Sequence, residues 1–355
     1  SKISSIFDIP INEKLKKTWN FNFPIEEKDW KIGLIIGASG SGKTTLAKHI
    51  FNEENYHHSF EWGDSAFVEY FDKNISIEKI IETLNKVGFS SPPSWVLPFE
   101  KLSNGQKFRT EIARILLSNR ELTIIDEFTS VIDRNVARIS CMAISKFIKK
   151  TENKKIVAVS CHYDVEEYLQ PDWVFDVNTL EFKWGCLRRP EFKFTVYKCD
   201  KKAWKLFEGY HYLSSSLNNA AQCFVMFLDD LVPIAFSSYI HQQHPHVKNM
   251  KREHRTVVLP DYQGIGLGNM MSNFVAEYVT SIKCKYSSTT SHPALIFSRL
   301  KDKNWVLSKA PKILNRAQGK EKKSNSIGRV TATFLYKNNN NKKEVCNDTE
   351  KRPEG

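Results

Sequence analysis

Eight consecutive residues, Gly37 to Thr44, read GASGSGKT and fit the pattern G-x-x-x-x-G-K-[ST]. Glycines 37, 40 and 42, with Ser39 among them, let backbone N–H groups converge on phosphate oxygens. Lys43 is spaced to reach the β- and γ-phosphates of a nucleoside triphosphate. Thr44 offers a hydroxyl to Mg²⁺, and Thr45 leads into a helix whose positive end faces the phosphates. Further along, the apolar run Leu122–Ile125 ends in two carboxylates. Asp126 is placed to hold the same Mg²⁺ through water, and Glu127 to orient and polarise an attacking water. Between these segments, Ser103 and Gly105 precede Phe108, Ile112, Ile115 and Leu116. That spacing is helical, so both residues belong to a helix N-terminus, which is an anion site or simply an N-cap. A second glycine loop, Gln263-Gly264-Ile265-Gly266-Leu267-Gly268, predicts a second phosphate cradle, because glycine alone lets backbone amides approach so closely.

The elements that must position these residues are legible as patterns. Ile32, Leu34, Ile35 and Ile36 form a buried-strand run before the first loop, and Ile156–Val159 forms another before His162. In the second half, Ala221–Leu228 and Pro233–Ile240 read as strands joined by a turn at Asp229–Val232. His254–Leu259 reads as a strand entering the second loop. Met271, Phe274, Val275, Tyr278, Val279 and Ile282 then recur at helical spacing. A strand within Ser281–Thr290, a helix at Ala294–Leu300 and strands at Asn304–Leu307 and Val330–Tyr336 complete the pattern. The Pro-containing stretch Arg188–Pro190 marks a boundary. The expected division is an N-terminal segment 1–24, an α/β domain 25–188, an α+β domain 189–336, and a disordered basic, Asn-rich tail 337–355.

Taken together, the motifs of the first half resemble those of ABC-type ATPases. Leu102-Ser103-Asn104-Gly105-Gln106 is similar to the LSGGQ signature, with Asn104 in place of one glycine. Ser130–Asp133 resembles the D-loop, and His162 the switch histidine that contacts the γ-phosphate. The resemblance implies a P-loop ABC ATPase fold that binds ATP and Mg²⁺. It also implies head-to-tail pairing, so that one set of motifs makes a homodimer with two shared sites, to which Ser103, Gly105 and Asp133 contribute. Two departures weaken a transporter reading: residues 46–101 contain no Gln for a Q-loop, and that segment is short.

In the second half, Gln263, Gly266 and Gly268 resemble the GNAT acetyltransferase pattern [QR]-x-x-G-x-[GA]. The resemblance implies acetyl-CoA or another acyl-CoA as donor, its pyrophosphate on Gln263–Gly268 and its pantetheine arm along Val257 and Val258. Many members use a Tyr on the helix after the fifth strand as general acid. Phe297 stands there in this chain, with Tyr286 and Ser298 as weak substitutes. A base is expected at Glu253 or His254, with His241 a further candidate. His241, His244 and His246 fit a solvated loop better than a metal site, and Ser291-His292-Pro293 is a turn or another active loop.

Of the 355 residues, 41% are hydrophobic and 26% charged, as in a folded globular protein. No apolar run is long enough to span a bilayer, so no membrane partner is expected. Seven dispersed cysteines without C-x-x-C pairs suggest reduced thiols and a cytoplasmic setting. The chain opens on Ser1, so a preceding segment is expected to have been removed or omitted. Residues 1–190 balance 26 basic against 26 acidic side chains, so the whole net charge of +12 falls on residues 191–355. A basic second half favours an anionic partner. The expected function is an ATPase coupled to acyl transfer onto an amine, by preference that of a nucleic-acid base. The alternatives are a protein N-acetyltransferase, a DNA modifier of the phage Mom type, and an ABC motor whose inactive second domain only binds nucleic acid.

Overall fold

The computed structural model describes residues 20–211, 215–245, 247–313 and 330–337. The expectations for His246, for the tail beyond residue 337 and for most of segment 1–24 lie outside these residues. The chain divides into two compact units. The first comprises Ser1–His58, Arg120–Ser130 and Ile148–Arg189; the second comprises Ser59–Asn119, Val131–Phe147 and Pro190–Gly355. The first unit thus ends inside the Arg188–Pro190 stretch. Residues 59–119 and 131–147 thus group with the second half. Ile139, for one, joins the core of Phe224, Met226 and Ile234.

The first unit is built on five strands, β1 (Ile32–Ile36), β2 (Leu122–Ile125), β3 (Lys155–Ser160), β4 (Trp173–Asp176) and β5 (Glu181–Trp184), in the order β2-β3-β1-β4-β5. The pairs β2–β3, β3–β1 and β1–β4 are parallel; β5 is antiparallel to β4. Every residue of β1 is buried, as its uninterrupted apolar run requires of a central parallel strand. Helix α1 (Lys43–Phe51) follows the first glycine loop and buries Leu46, Ala47 and Phe51. Phe51 stacks on Trp173, and Trp30 and Phe23 meet Trp173 edge-on, filling the space beneath the sheet. Helix α6 (Val165–Leu169) connects β3 to β4.

The second unit contains the helices α2 (Ile77–Lys86), α3 (Pro92–Trp95), α4 (Asn104–Leu117) and most of α5 (Arg134–Ile148). Its seven strands are β6 (Phe194–Cys199), β7 (Gln222–Leu228), β8 (Val232–His241), β9 (Met250–Val258), β10 (Lys285–Thr290), β11 (Trp305–Ile313) and β12 (Val330–Tyr336). They run in the order β11-β12-β10-β9-β8-β7-β6, antiparallel except for β9 and β10. A parallel neighbour needs a crossover, supplied by α7 (Leu267–Ser281), whose Met271, Val275 and Val279 lie buried against the sheet. Helix α8 (Pro293–Lys301) joins β10 to β11. The register of β9 with β10 covers Met250–Arg252 against Lys285–Ser287 only. Beyond Arg252 the two strands part. The fold is therefore an α/β P-loop sheet and an α+β unit on a seven-stranded, mostly antiparallel sheet.

Candidate nucleotide site and candidate acyl-CoA site

The C-terminal ends of β1, β2 and β3 lie side by side, where ligands of open parallel sheets collect. From β1 the chain enters Gly37–Gly42. Gly42 caps α1 with φ 96° and ψ 15°, a left-handed conformation that glycine adopts without strain, and no side chain occupies the cap. The first amides of α1, at Lys43, Thr44 and Thr45, are thus left to an anion. A side chain at Gly40 would meet nothing within 4 Å, which leaves room at the loop's crest. The buried Lys43 ammonium donates to the Ala38 carbonyl at 2.7 Å, folded back over the loop.

Thr44 Oγ1 donates to Asp126 Oδ2 at 2.7 Å, so the two side chains expected to hold Mg²⁺ converge from α1 and β2. Tyr56, which the sequence did not single out, donates to the same Asp126 oxygen at 2.9 Å. Burial and that bond push its phenol up to about 12, so it stays a donor. Glu127 has φ 48°, and its N–H donates to Asp126 Oδ1 at 2.8 Å. The loop behind it is pinned to β3. Phe128 N–H donates to the Val159 carbonyl at 2.9 Å, and Ser160 Oγ donates to the Phe128 carbonyl at 3.1 Å. The same Ser160 oxygen accepts from His162 N–H at 3.1 Å. One serine therefore ties the residue after Glu127 to the backbone of His162.

Ser103, Gly105 and Asp133 belong to the second unit. Ser103 caps α4 in a capping box: its Oγ accepts from Gln106 N–H, and Gln106 Oε1 accepts from Ser103 N–H at 3.0 Å. Ser103 and Asn104 are exposed, and Gly105 is half-buried beside Val136 of α5. Asp133 is exposed and accepts from Asn135 N–H at 2.8 Å.

The second glycine loop repeats the first. Gly266 caps α7 with φ 99° and ψ 9°, again without a side-chain cap, and a side chain there would meet nothing within 4 Å. Beside it lies a cavity of about 220 Å³, lined by Val257 and Val258 of β9, by Gln263, Gly264, Gly266 and Gly268, and by Tyr210, His211 and His292 among others. The residues expected to hold a pyrophosphate and a pantetheine arm thus share one wall. Gln263 faces protein on both sides: Nε2 donates to the Val258 carbonyl at 3.0 Å and Oε1 accepts from Ser90 N–H at 2.9 Å.

Neither of the two expected bases, Glu253 and His254, lines this cavity. Glu253 fills the gap where β9 and β10 part; its carboxylate takes hydrogen bonds from Thr256 Oγ1 (2.9 Å), Ser272 Oγ (2.8 Å), Arg299 Nη2 (2.8 Å) and Ser288 Oγ. Burial would raise its pKa, but the Arg299 guanidinium and the three hydroxyls outweigh it and hold the carboxyl below its ordinary value. The carboxylate thereby ties β9 to α7, β10 and α8. His254 accepts at Nε2 from Asn218 N–H at 3.1 Å. Burial, with Arg255 and Arg252 nearby, pushes its pKa down to about 4. The substitute acids also lie elsewhere. Tyr286 is fully buried, Ser298 Oγ accepts from Asn269 Nδ2 at 2.5 Å, and Phe297 is exposed. Sequence reasoning missed Tyr210 and His211, which lie on a short 3₁₀ segment without a chemical motif.

Among the described residues, no three His, Cys, Asp or Glu side chains converge on a metal position, so His241 and His244 form no such cluster. Cys161, Cys186, Cys199, Cys223 and Cys284 are free thiols, and Cys141 is buried. No described helix is long and apolar enough to cross a membrane.

The parallel sheet, the glycine-capped helix and the paired Thr44 and Asp126 define a P-loop NTPase domain, and ABC transporter ATP-binding proteins are among its curated relatives. The family model for the NB-ARC domain matches residues 12–181. The energy-coupling factor transporter ATP-binding protein EcfA1 of Leuconostoc mesenteroides is 27% identical over 197 residues, which cover 45% of this chain and 71% of that protein. Among solved structures, a dimeric bacterial ABC transporter cassette aligns at 19% identity and TM-score 0.34, over 42% of this chain and 82% of its own. The spermidine/spermine N-acetyltransferase SpeG of Vibrio cholerae aligns at 13% identity and TM-score 0.32, over 40% of this chain and 91% of its own.

Proposed function

We propose that this chain is an ATP-hydrolysing, ABC-type ATPase joined to an acyltransferase that moves an acyl group from acetyl-CoA, or another acyl-CoA, to an amine. The observation that carries this reading is the near identity of the two glycine caps. Gly42 and Gly266 share one left-handed conformation, and each leaves the amides of a helix N-terminus open to phosphate. In the ATPase, Lys43 binds the β- and γ-phosphates and Glu127 holds the attacking water. His162 contacts the γ-phosphate. Thr44 and Asp126 hold Mg²⁺, which when bound neutralises charge on the transferring phosphoryl group. The exposed Ser103 and the half-buried Gly105 complete the site of a second copy, so ATP closes a head-to-tail homodimer.

In the second domain, the amides at the start of α7 bind the CoA pyrophosphate, and β9 aligns the thioester along Val257 and Val258. The acceptor nitrogen forms a bond to the acyl carbon, the carbon–sulfur bond breaks, and CoA leaves as the thiol after taking up a proton. His211, on the cavity wall beside Trp204, takes the proton that the amine loses. The acceptor is an amine carried on an anionic polymer, nucleic acid first, because all of the net +12 belongs to residues 191–355. The free thiols of Cys161, Cys186, Cys199, Cys223 and Cys284 suit a reducing, cytoplasmic setting. A second reading is favoured by the commitment of Glu253 and His254: the second domain binds nucleic acid for the motor and transfers nothing.

Two lesions test the two-site reading. Lys43→Ala is expected to abolish ATP binding and spare acetyl-CoA. Gly266→Asp, which sets a negative charge at the start of α7, is expected to do the reverse. Calorimetric titration of each ligand decides; loss of both ligands from either variant contradicts two separate sites.

A further inference from the structure

The acyl-CoA cavity has a wall that comes from within the ATPase motifs. Asn85 and Ser90, from the segment between the P-loop and the signature, line it together with the second glycine loop. The contact is close. Gly88 and Gly264 both have φ 94°, and a side chain on Gly264 would sit 2.5 Å from Gly88 Cα. Ser90 N–H donates to Gln263 Oε1 at 2.9 Å, and its carbonyl lies 3.3 Å from His292 Nε2.

Arg109 carries the same contact into the signature helix. It lies on α4, the helix that Ser103 caps, and is 1% exposed. Nη1 donates to the Pro260 carbonyl at 2.8 Å and Nη2 to the Asp261 carbonyl at 3.1 Å, while Nε donates to Ser140 Oγ of α5 at 3.1 Å. Pro260–Tyr262 is the turn that launches Gln263–Gly268. Burial pulls the guanidinium down to about 10, partly offset by Asp261, so it is charged at neutral pH. A buried charge whose donors end on two carbonyls of one turn is costly to displace. A shift of α4 must therefore move the turn with it or break these bonds.

Building on the reading above, we infer that ATP-driven closure and acyl-CoA binding are linked through α4. Ser103 at its start meets the partner's nucleotide, and Arg109 in its middle is the positioning residue for the acyl-CoA loop. Linkage is reciprocal: acyl-CoA changes the affinity for ATP by the same factor by which ATP changes the affinity for acyl-CoA.

The test is titration of acetyl-CoA into the full chain carrying Glu127→Gln, with and without ATP and Mg²⁺. The dissociation constant is expected to change by about fivefold or more on adding ATP. The factor should fall to unity with Arg109→Met and recover in part with Arg109→Lys. Should Arg109→Met fail to fold, as judged by its melting curve, Gln263→Leu, which removes the bond to Ser90, is expected to reduce the factor instead. Equal affinity with and without ATP overturns the linkage and leaves the acyl-CoA reading standing. A full ATP effect in Arg109→Met overturns the role of Arg109. No acetyl-CoA binding in either state overturns the acyl-CoA reading, and the linkage with it.

Discussion

Glu253 and Glu127 show how differently two carboxylates are used. Glu253 is matched by Arg299 and three hydroxyls, and its pKa is lowered in the folded chain. A lowered folded pKa contributes stability above the unfolded value, near about 4.3, and that contribution is lost as pH falls through the folded one. Glu253→Gln leaves the Arg299 charge buried without its partner and is expected to cost about 3–5 kcal/mol at pH 7. The gap from the parent chain should narrow as the pH drops below about 4, read from urea midpoints at each pH. A gap that does not change with pH contradicts the pairing. Glu127 instead sits at the end of β2, its backbone fixed by Asp126 and Ser130. Glu127→Gln is expected to lower the ATPase rate by about 10²-fold or more while ATP still binds. An unchanged rate removes Glu127 from catalysis.

The elements divide into those announced by local pattern and those fixed by distant contacts. Helices α1 and α7 were legible because a glycine loop followed by an apolar 3.6-residue rhythm is local information. The same holds for β1, whose run of apolar residues could only be central. Arg109 was not legible. It sits between Phe108 and Thr110 in an ordinary helical pattern, and the carbonyls it holds are 151 and 152 residues away. The surroundings of Glu253 were hidden for the same reason, since a polar residue on a half-buried strand gives no sign of the arginine 46 positions later that bonds to it. The Pro-containing stretch near 190 is local information, but the membership of 59–119 depends on contacts such as Gly88 with Gly264. Gly88→Ala brings a side chain to 2.8 Å from the Gln263 carbonyl. It also forces φ 94° on alanine, a strain of about 1–3 kcal/mol. It is expected to weaken acetyl-CoA binding and leave ATP affinity in the absence of acetyl-CoA within about twofold of the parent chain, since additivity holds for separate sites. Equal loss of both ligands contradicts this.

The whole molecule carries one set of ATPase motifs and a basic second half. With ATP, the Glu127→Gln chain is expected to elute at twice its monomer mass in size-exclusion chromatography, and Lys43→Ala at the monomer mass. A monomer under both conditions contradicts head-to-tail closure. A basic second half also ties acceptor binding to ionic strength, because phosphate contacts release counterions. The central claim is that ATP and an acyl-CoA serve one reaction on an amine. Its most direct test is incubation of the full chain with acetyl-labelled acetyl-CoA, with and without ATP and Mg²⁺, against separate pools of DNA, RNA and protein. The account predicts label in a nucleic-acid pool, increased by ATP and absent with Gly266→Asp. Label in no pool, with nucleic-acid binding and ATPase intact, contradicts it and leaves an ABC motor carrying a silent acyltransferase fold.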